Sequence, residues 1–256
     1  MKLWHETSGD GPDLVLVHGW GLHADVWEPV LDELQQCFRV TRVDLPGHGR
    51  SREVPVGEGL AEWAAEVLAV TPAKAVWLGW SLGGMVATRA ALDAPDRVER
   101  LIAVATTPRF VTDHDWPHAM APDTLAGFAA ELRNDFRGTV QQFLALQVQG
   151  DPQGRQLLRG LRESVFRHGE PHHRVLEQGL AVLGNADLRS ELPGISQPVR
   201  VISGRLDRLT HPEAGRAMAE SIPGADYHCL QRTAHAPFLS DPEHFLELIH
   251  DFAQAG

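Results

Sequence analysis

Residues 75–84 read AVWLGWSLGG, and this stretch decides the fold prediction. The apolar run at residues 75–78 predicts a buried strand, and the small residues after Ser81 predict the start of a helix. Between them stands the pattern Gly-x-Ser-x-Gly, in which a serine occupies a sharp strand-to-helix turn. Gly79 and Gly83 leave room for backbone segments to cross closely. The stretch therefore predicts a nucleophilic Ser81 at the top of a sheet.

The alternation of strand and helix patterns extends on both sides of this turn. Near-continuous apolar runs predict strands that are buried on both faces, and helical patterns lie between them. The predicted strands are 14–17, 39–43, 75–78, 101–105, 199–203 and 225–230. The predicted helices are 24–36, 58–69, 82–94, 212–221 and 242–253. This order favours an α/β fold with a mostly parallel central sheet flanked by helices.

Residues 108–185 interrupt the alternation. They contain no strand-like run, and prolines and glycines divide them into several helical patterns. We expect a helical cap, inserted after the strand near residue 105 and lying over the carboxyl-terminal edge of the sheet. Residues 1–107 and 186–256 would then form a single α/β-hydrolase core.

A nucleophilic serine needs a general base, and the base needs an orienting carboxylate. His235, one of 14 histidines, follows the last predicted strand, from which its loop can reach back to the turn. Asp207 follows the preceding strand, and the order Ser81, Asp207, His235 is that of α/β-hydrolases. Asp187 and Asp226 are weaker candidates for the acid, since one ends the insertion and the other lies within a strand.

An oxyanion hole needs backbone N–H donors beside the serine. The predicted strand 14–17 leads into the sequence HGWG, a glycine-flanked turn that can present such a donor. We predict that the amides of Trp20 and Leu82 are the donors, each contributing about 3 kcal/mol to transition-state stabilisation. His18 is interpreted as a scaffold residue of this turn, and residues 44–51 as a rigid structural loop.

Composition limits the classes of partner and cofactor. The 256 residues include 23 Lys plus Arg and 34 Asp plus Glu, a formal net charge of −11 that argues against nucleic acid. No apolar run reaches the ~18 residues of a membrane span, and residues 1–12 do not resemble a signal peptide. Cys37 and Cys229 are too few for a disulfide framework, and no metal or nucleotide motif occurs. We expect a cytoplasmic enzyme without cofactor or metal.

Four segments together resemble one family. The sequences HGWGL at 18–22, GWSLGG at 79–84, FLALQ at 143–147 and AHAPF at 234–238 resemble the pimeloyl-[acyl-carrier protein] methyl ester esterases. These are the carboxylesterases of biotin synthesis, and the similarity covers the whole chain. The resemblance implies a triad of Ser81, Asp207 and His235. It also implies a substrate site formed by Trp20, Ser81, Leu82, Phe143, Leu144, Ala145, Leu146, Gln147 and His235.

The family further implies a protein partner, the acidic acyl carrier protein that bears the pimeloyl methyl ester. In the family, arginines of the cap receive this carrier, and Arg155 and Arg159 match those positions. Arg162 continues the same helix face at i, i+4, i+7. Residues 152–175 contain five Arg and two Glu, a local charge of +3, so the cap permits an acidic partner that the rest of the chain disfavours.

The chain departs from the family at two other basic positions of the cap. Gly138 and Gln142 stand there, and Arg137 lies one place away as a substitute. We expect the enzyme to act as a monomer.

Other functions share this scaffold. A carbon–carbon bond hydrolase acting on vinylogous diketones can use the same triad and a helical cap. A haloalkane dehalogenase is disfavoured, because its nucleophile is aspartate whereas residue 81 is serine. A non-catalytic ligand receptor would be marked by a broken triad or oxyanion turn, and here all the parts are present.

Overall fold

A computed structural model of the protein describes residues 1–55 and 57–254. Its strands form one sheet in the order β1-β3-β2-β4-β5-β6-β7. The strands are β1 (His5–Ser8), β2 (Asp13–Val17), β3 (Arg39–Val43), β4 (Ala75–Trp80), β5 (Val98–Val104), β6 (Val199–Gly204) and β7 (Asp226–Leu230). Neighbouring strands are parallel except β1 and β3. The predicted α/β fold with a mostly parallel sheet is therefore confirmed.

Strand β1, the antiparallel edge strand, is absent from the strands predicted from the sequence. Its four residues, His5–Ser8, are all polar and none is fully buried. An edge strand with one hydrogen-bonded neighbour needs no apolar run, so hydropathy patterning gives no signal for it.

The helices lie on both sides of the sheet and in the segment between β5 and β6. They are α1 (Glu28–Gln35), α2 (Leu60–Leu68), α3 (Leu82–Asp93), α4 (Pro122–Asn134), α5 (Phe136–Gln147), α6 (Gly154–Ser164), α7 (His173–Asn185), α8 (Pro212–Ser221), α9 (Pro237–Ser240) and α10 (Pro242–Gln254). Within the described parts of the chain, no helix has the length and hydropathy to cross a membrane.

The predicted helix 24–36 is divided in the structure. Residues Ala24–Trp27 form a 3₁₀ turn, and α1 begins only at Glu28. Pro29 explains the division, because proline has no backbone N–H and is tolerated in the first turn of an α-helix but not in its interior.

Helices α4–α7, called the insertion helices below, are joined to the core at closely spaced points. Arg109 and Asp187 form a backbone bridge, and Arg109 Nη1 lies 2.7 Å from Asp187 Oδ2. Arg189 holds the same carboxylate at 2.8 Å. The chain therefore leaves and re-enters the core side by side, next to the carboxyl ends of β5 and β6.

Candidate active site

Ser81 lies in the sharp turn between β4 and α3 that the sequence predicts. Its φ of 56° and ψ of −121° are strained for a residue with a Cβ atom. The Ser81 N–H donates to Val104 O at 3.0 Å, which holds the turn on the neighbouring strand. A Cβ atom on Gly79 would collide with the Gly83 carbonyl, and one on Gly83 would collide with Val17 O. The predicted need for two glycines around the serine is confirmed.

His235 and Asp207 form a buried pair at the same edge of the sheet. His235 Nδ1 lies 2.8 Å from Asp207 Oδ2, and their side chains are 1% and 0% exposed. The imidazole packs against Trp80, the residue before Ser81, with ring centroids 5.5 Å apart. Trp80 Nε1 also donates to the His235 carbonyl at 2.7 Å. These contacts hold the histidine loop against the serine turn.

The other nitrogen of the imidazole, Nε2, is buried and has no hydrogen-bond partner among residues 1–55 and 57–254. Since Asp207 accepts the Nδ1 proton, Nε2 is the unprotonated nitrogen of the neutral ring. An unprotonated, buried Nε2 is the atom that a general base offers to a serine hydroxyl.

The two weaker candidates for the acid lie elsewhere. Asp187 pairs with two arginines where the insertion joins the core, and Asp226 on β7 pairs with an arginine of β6. Of the three aspartates considered, Asp207 is the one that contacts His235.

The turn after β2 passes directly beside Ser81. A Cβ atom on Gly19 would lie 3.2 Å from Ser81 Cβ, so the residue before Trp20 lies against the serine. Leu82 is the first residue of α3, so its N–H has no acceptor within the helix. The turn after β2 and the start of α3 therefore both adjoin Ser81, and the oxyanion role of the Trp20 and Leu82 amides stays a prediction.

Two buried histidines support this turn. His18 Nε2 accepts the N–H of Leu45 at 2.9 Å, and its Nδ1 donates to Gly19 O at 2.8 Å. His48 Nε2 accepts the N–H of Gly21 at 3.0 Å. Burial lowers the pKa of both histidines to about 3, so both rings are neutral at pH 7. They join the turn after β2 to the loop after β3.

The low pKa values of these two histidines predict that the protein becomes less stable as the pH falls. Both protonate near pH 6.5 when unfolded but only near pH 3 when folded, so the unfolded chain binds more protons in this interval. Their contribution is complete above pH 6.5 and decreases as the pH falls towards 3, by about 1.4 kcal/mol per pH unit for each ring. Urea unfolding at pH 5, 6 and 7 measures how the free energy of unfolding changes with pH. We expect His48→Gln to reduce this slope by about 1 kcal/mol per pH unit over the range, because the unfolded histidine is already mostly neutral at pH 7.

The matched control is His118→Gln, since His118 is exposed and, among the described residues, makes no hydrogen bond or ion pair. This change should leave the pH dependence of the unfolding free energy as in the wild type. An unaltered slope in the His48 variant would contradict the assignment of a neutral, buried ring.

The last turns of α5 reach the His235–Asp207 pair. The Phe143 ring lies edge-on to Trp20 with centroids 4.8 Å apart, and the His235 N–H donates to Gln147 O at 3.0 Å. Gln147 Oε1 is buried without a hydrogen-bond partner in the part of the chain that the structure describes. The three residues between them are buried or half-buried: Leu144, Ala145 and Leu146. Phe143 thus makes a ring contact with Trp20, and Gln147 accepts a hydrogen bond from His235.

A second insertion helix also contacts the turn after β2. Trp20 Nε1 donates to Leu176 O of α7 at 2.9 Å. A Cβ atom on Gly179 would lie 2.7 Å from the Trp20 ring, so the glycine makes room for this side chain. The position of Trp20 therefore depends on the insertion as well as on the core.

The predicted docking arginines form an exposed face of α6. They surround an open surface cavity of about 630 Å³ that Leu158 also lines. The three residues are Arg155, Arg159 and Arg162. Arg137 lies on α5, where it pairs with Glu170 at 2.6 Å and covers the Phe166 ring.

The structure also shows a cluster between core and insertion that the sequence analysis missed. Asp25 is buried, and it accepts hydrogen bonds from Arg50 at 2.5 Å, His168 at 2.8 Å and Arg167 at 3.1 Å. Burial raises the pKa of Asp25, but the hydrogen bonds from Arg50 and His168 outweigh burial and hold this pKa below its usual range. The partners are far apart in sequence, so no local pattern could have indicated the cluster.

Ligand atoms of His23, Asp25 and His168 lie within 4.8 Å of one another, a spacing that a metal ion could use. The guanidinium groups of Arg42, Arg50 and Arg167 already pair with Asp25, however, and they would oppose a further cation. We interpret the cluster as an ionic contact that joins the insertion to the core.

The fold and the serine turn define the class of protein. A family model for the alpha/beta hydrolase fold matches residues 12–242. Among solved structures, the enol-lactonase from Burkholderia xenovorans superposes with a TM-score of 0.86 at 27% identity, covering 99% of this chain and 96% of that one. The protein is an α/β hydrolase.

Curated relatives identify the family within this class. The pimeloyl-[acyl-carrier protein] methyl ester esterase of Yersinia enterocolitica is 44% identical over 99% of this chain and 98% of its own length. The enzyme of the same name from Vibrio parahaemolyticus is 41% identical with the same coverage. The chain belongs to the family of pimeloyl-[acyl-carrier protein] methyl ester esterases.

Proposed function

We propose that this protein hydrolyses the methyl ester of pimeloyl-[acyl-carrier protein] to pimeloyl-[acyl-carrier protein] and methanol, a step of biotin biosynthesis in the cytoplasm. The observation that carries the proposal is the buried His235–Asp207 pair packed against the serine turn. It occurs in a chain that is similar, along almost its whole length, to esterases named for this reaction.

In the first half of the reaction, Ser81 is the nucleophile. Its hydroxyl attacks the ester carbonyl while His235 Nε2 takes the hydroxyl proton. Asp207 holds the Nδ1 proton and stabilises the imidazolium that forms. The tetrahedral intermediate then collapses, and the imidazolium gives its proton to the departing methoxide oxygen. Methanol is released, and the acyl group remains bound to Ser81.

In the second half, His235 activates a water molecule. The water attacks the acyl-enzyme carbonyl, His235 accepts its proton, and the proton returns to Ser81 as the free carboxylic acid is released. The amides of Trp20 and Leu82 would donate to the carbonyl oxygen in both tetrahedral intermediates. Such donors act at the oxygen where negative charge develops, which is why they lower the barrier.

The insertion helices are proposed to act as a cap over the site. Ser81 is only 4% exposed and His235 only 1%, so a substrate cannot reach them without displacement of neighbouring segments. Phe143 and Trp20 would line an apolar groove for the methylene chain, and the unpaired Gln147 Oε1 would supply a polar contact. Access of the ester then depends on outward movement of the insertion helices.

The exposed arginine face of α6 is proposed to receive the acyl carrier protein. Its cations are displayed around an open cavity rather than buried in the fold. The only ion pair between these arginines and an acid of the described chain is that of Arg159 with Glu163, at 3.8 Å. An acidic partner would therefore meet Arg155 and Arg162, which pair with no acid among the described residues, beside the loosely paired Arg159. The enzyme is proposed to work as a monomer.

The proposal is tested by incubating the protein with pimeloyl-[acyl-carrier protein] methyl ester and following the carrier by intact-protein mass spectrometry. We expect conversion to the free acid with release of one methanol. A vinylogous diketone and p-nitrophenyl acetate are assayed in parallel. Rapid cleavage of the diketone with no loss of the methyl group would assign the protein to the carbon–carbon hydrolases instead. Tight binding of the ester without turnover of any substrate would indicate a receptor.

A further inference from the structure

Thr210 is a buried residue next to the catalytic pair that neither the motifs nor the proposed reaction assigns. It is 2% exposed and lies in the loop between β6 and α8, three residues after Asp207. Its Oγ1 donates to Asp207 Oδ2 at 2.8 Å and lies 3.4 Å from His235 Nδ1. The hydroxyl therefore occupies the corner between the carboxylate and the imidazole.

The carboxylate of Asp207 is fully engaged by hydrogen-bond donors. Oδ1 accepts the backbone N–H of Leu209 at 2.8 Å and that of Thr210 at 3.0 Å. Oδ2 accepts from the Thr210 hydroxyl and from His235 Nδ1, both at 2.8 Å. The Thr210 hydroxyl and the imidazole thus share one oxygen, so the strength of one bond affects the other.

We propose that Thr210 is a positioning residue that moderates the pull of Asp207 on His235, and this inference rests on the proposed ester hydrolysis. A donor to Oδ2 spreads the negative charge of the carboxylate and weakens its hold on the imidazolium. The imidazole consequently releases its proton at lower pH, and the unprotonated general base persists further into the acidic range. The hydroxyl also limits rotation of the carboxylate, which keeps Oδ2 directed at Nδ1.

Thr210→Val removes the hydroxyl while keeping the branched shape, and the backbone N–H can still donate to Oδ1. We expect the acidic midpoint of the kcat/KM pH profile to move to higher pH by about half a unit or more. The loss of activity should therefore be larger at pH 6 than at pH 8.5, and KM should change little. Thr210→Ser keeps the hydroxyl and should restore the wild-type profile.

Two carboxylates from other elements lie near His235. Asp207 is one, and the second is Asp151 of the insertion, whose Oδ2 lies 3.3 Å from the N–H of Ala234. Asp151 also accepts from Ser240 Oγ at 2.5 Å. Both carboxylates are present in every variant, so Val and Ser at position 210 differ in the hydroxyl donor to Asp207 Oδ2.

Thr233→Val is the matched control, since Thr233 is equally buried in the histidine loop but donates to Leu230 O at 3.2 Å. With p-nitrophenyl acetate as substrate, wild type and Thr233→Val should share one profile. The inference is overturned if the pH profile of Thr210→Val coincides with that of the wild type. It is also overturned if the activity of Thr210→Val is lowered equally at every pH. Absence of turnover by the wild type would instead contradict the proposed function, so the two failures can be distinguished.

Discussion

Replacement of Ser81 by alanine is expected to abolish ester hydrolysis while leaving the fold intact. The hydroxyl is the proposed nucleophile, and loss of such a serine lowers kcat by roughly 10⁴- to 10⁶-fold in enzymes of this kind. The fold should survive because alanine keeps the Cβ atom, so the strain at φ 56° is unchanged. The main-chain bonds of Ser81 to Val104 and Gly84 do not involve the side chain.

The measurement is the initial rate with p-nitrophenyl acetate and with the carrier-bound methyl ester, together with the thermal midpoint of each variant. Ser203→Ala is the matched control, because Ser203 is equally buried at the end of β6 but does not belong to the catalytic pair or the serine turn. It should retain turnover. Wild-type rates in the Ser81 variant would refute the proposed mechanism, whatever the rate of the control.

The parts of the fold that the sequence predicts are those with strong local signals. The central strands are continuous apolar runs, and β4 is buried along its whole length. The serine turn carries two glycines whose hydrogen atoms face neighbouring backbone, so the requirement is local and visible in the sequence. Strand β1 is polar and lies at the edge, and it was missed for that reason.

The contacts between core and insertion could not be predicted in the same way. Asp25 meets His168 and Arg167 across more than 140 positions of sequence, and no spacing rule links them. Thr210 is one of many threonines until the fold turns its hydroxyl towards Asp207. Hydropathy identifies which residues are buried, whereas hydrogen-bond partners depend on the tertiary arrangement.

Charge reversal on α6 should slow hydrolysis of the carrier-bound ester but not hydrolysis of dimethyl pimelate. In Arg155→Glu/Arg159→Glu, attraction to the acidic carrier becomes repulsion at two exposed positions. Exposed charge pairs contribute little individually, so we expect a total change of about 1–3 kcal/mol, or roughly a 5- to 150-fold rise in KM for the carrier-bound ester. Dimethyl pimelate has no carrier. The kcat and KM of the α6 variant for this substrate should therefore remain within about twofold of the wild-type values, a difference in free energy well below the 1.4 kcal/mol of a tenfold effect.

Salt and a second double variant separate docking from general electrostatics. Added salt screens exposed charges, so the difference between the wild type and the α6 variant should shrink as ionic strength rises. The variant Arg133→Glu/Arg232→Glu makes the same change in net charge as the α6 variant. Its two exposed positions lie on α4 and after β7. If long-range charge alone governed the reaction, both double variants would slow carrier turnover alike. Equal effects of the α6 variant on both substrates would remove the docking role of this face. A loss confined to the carrier-bound ester and to α6 would instead place the carrier on α6, one of the insertion helices.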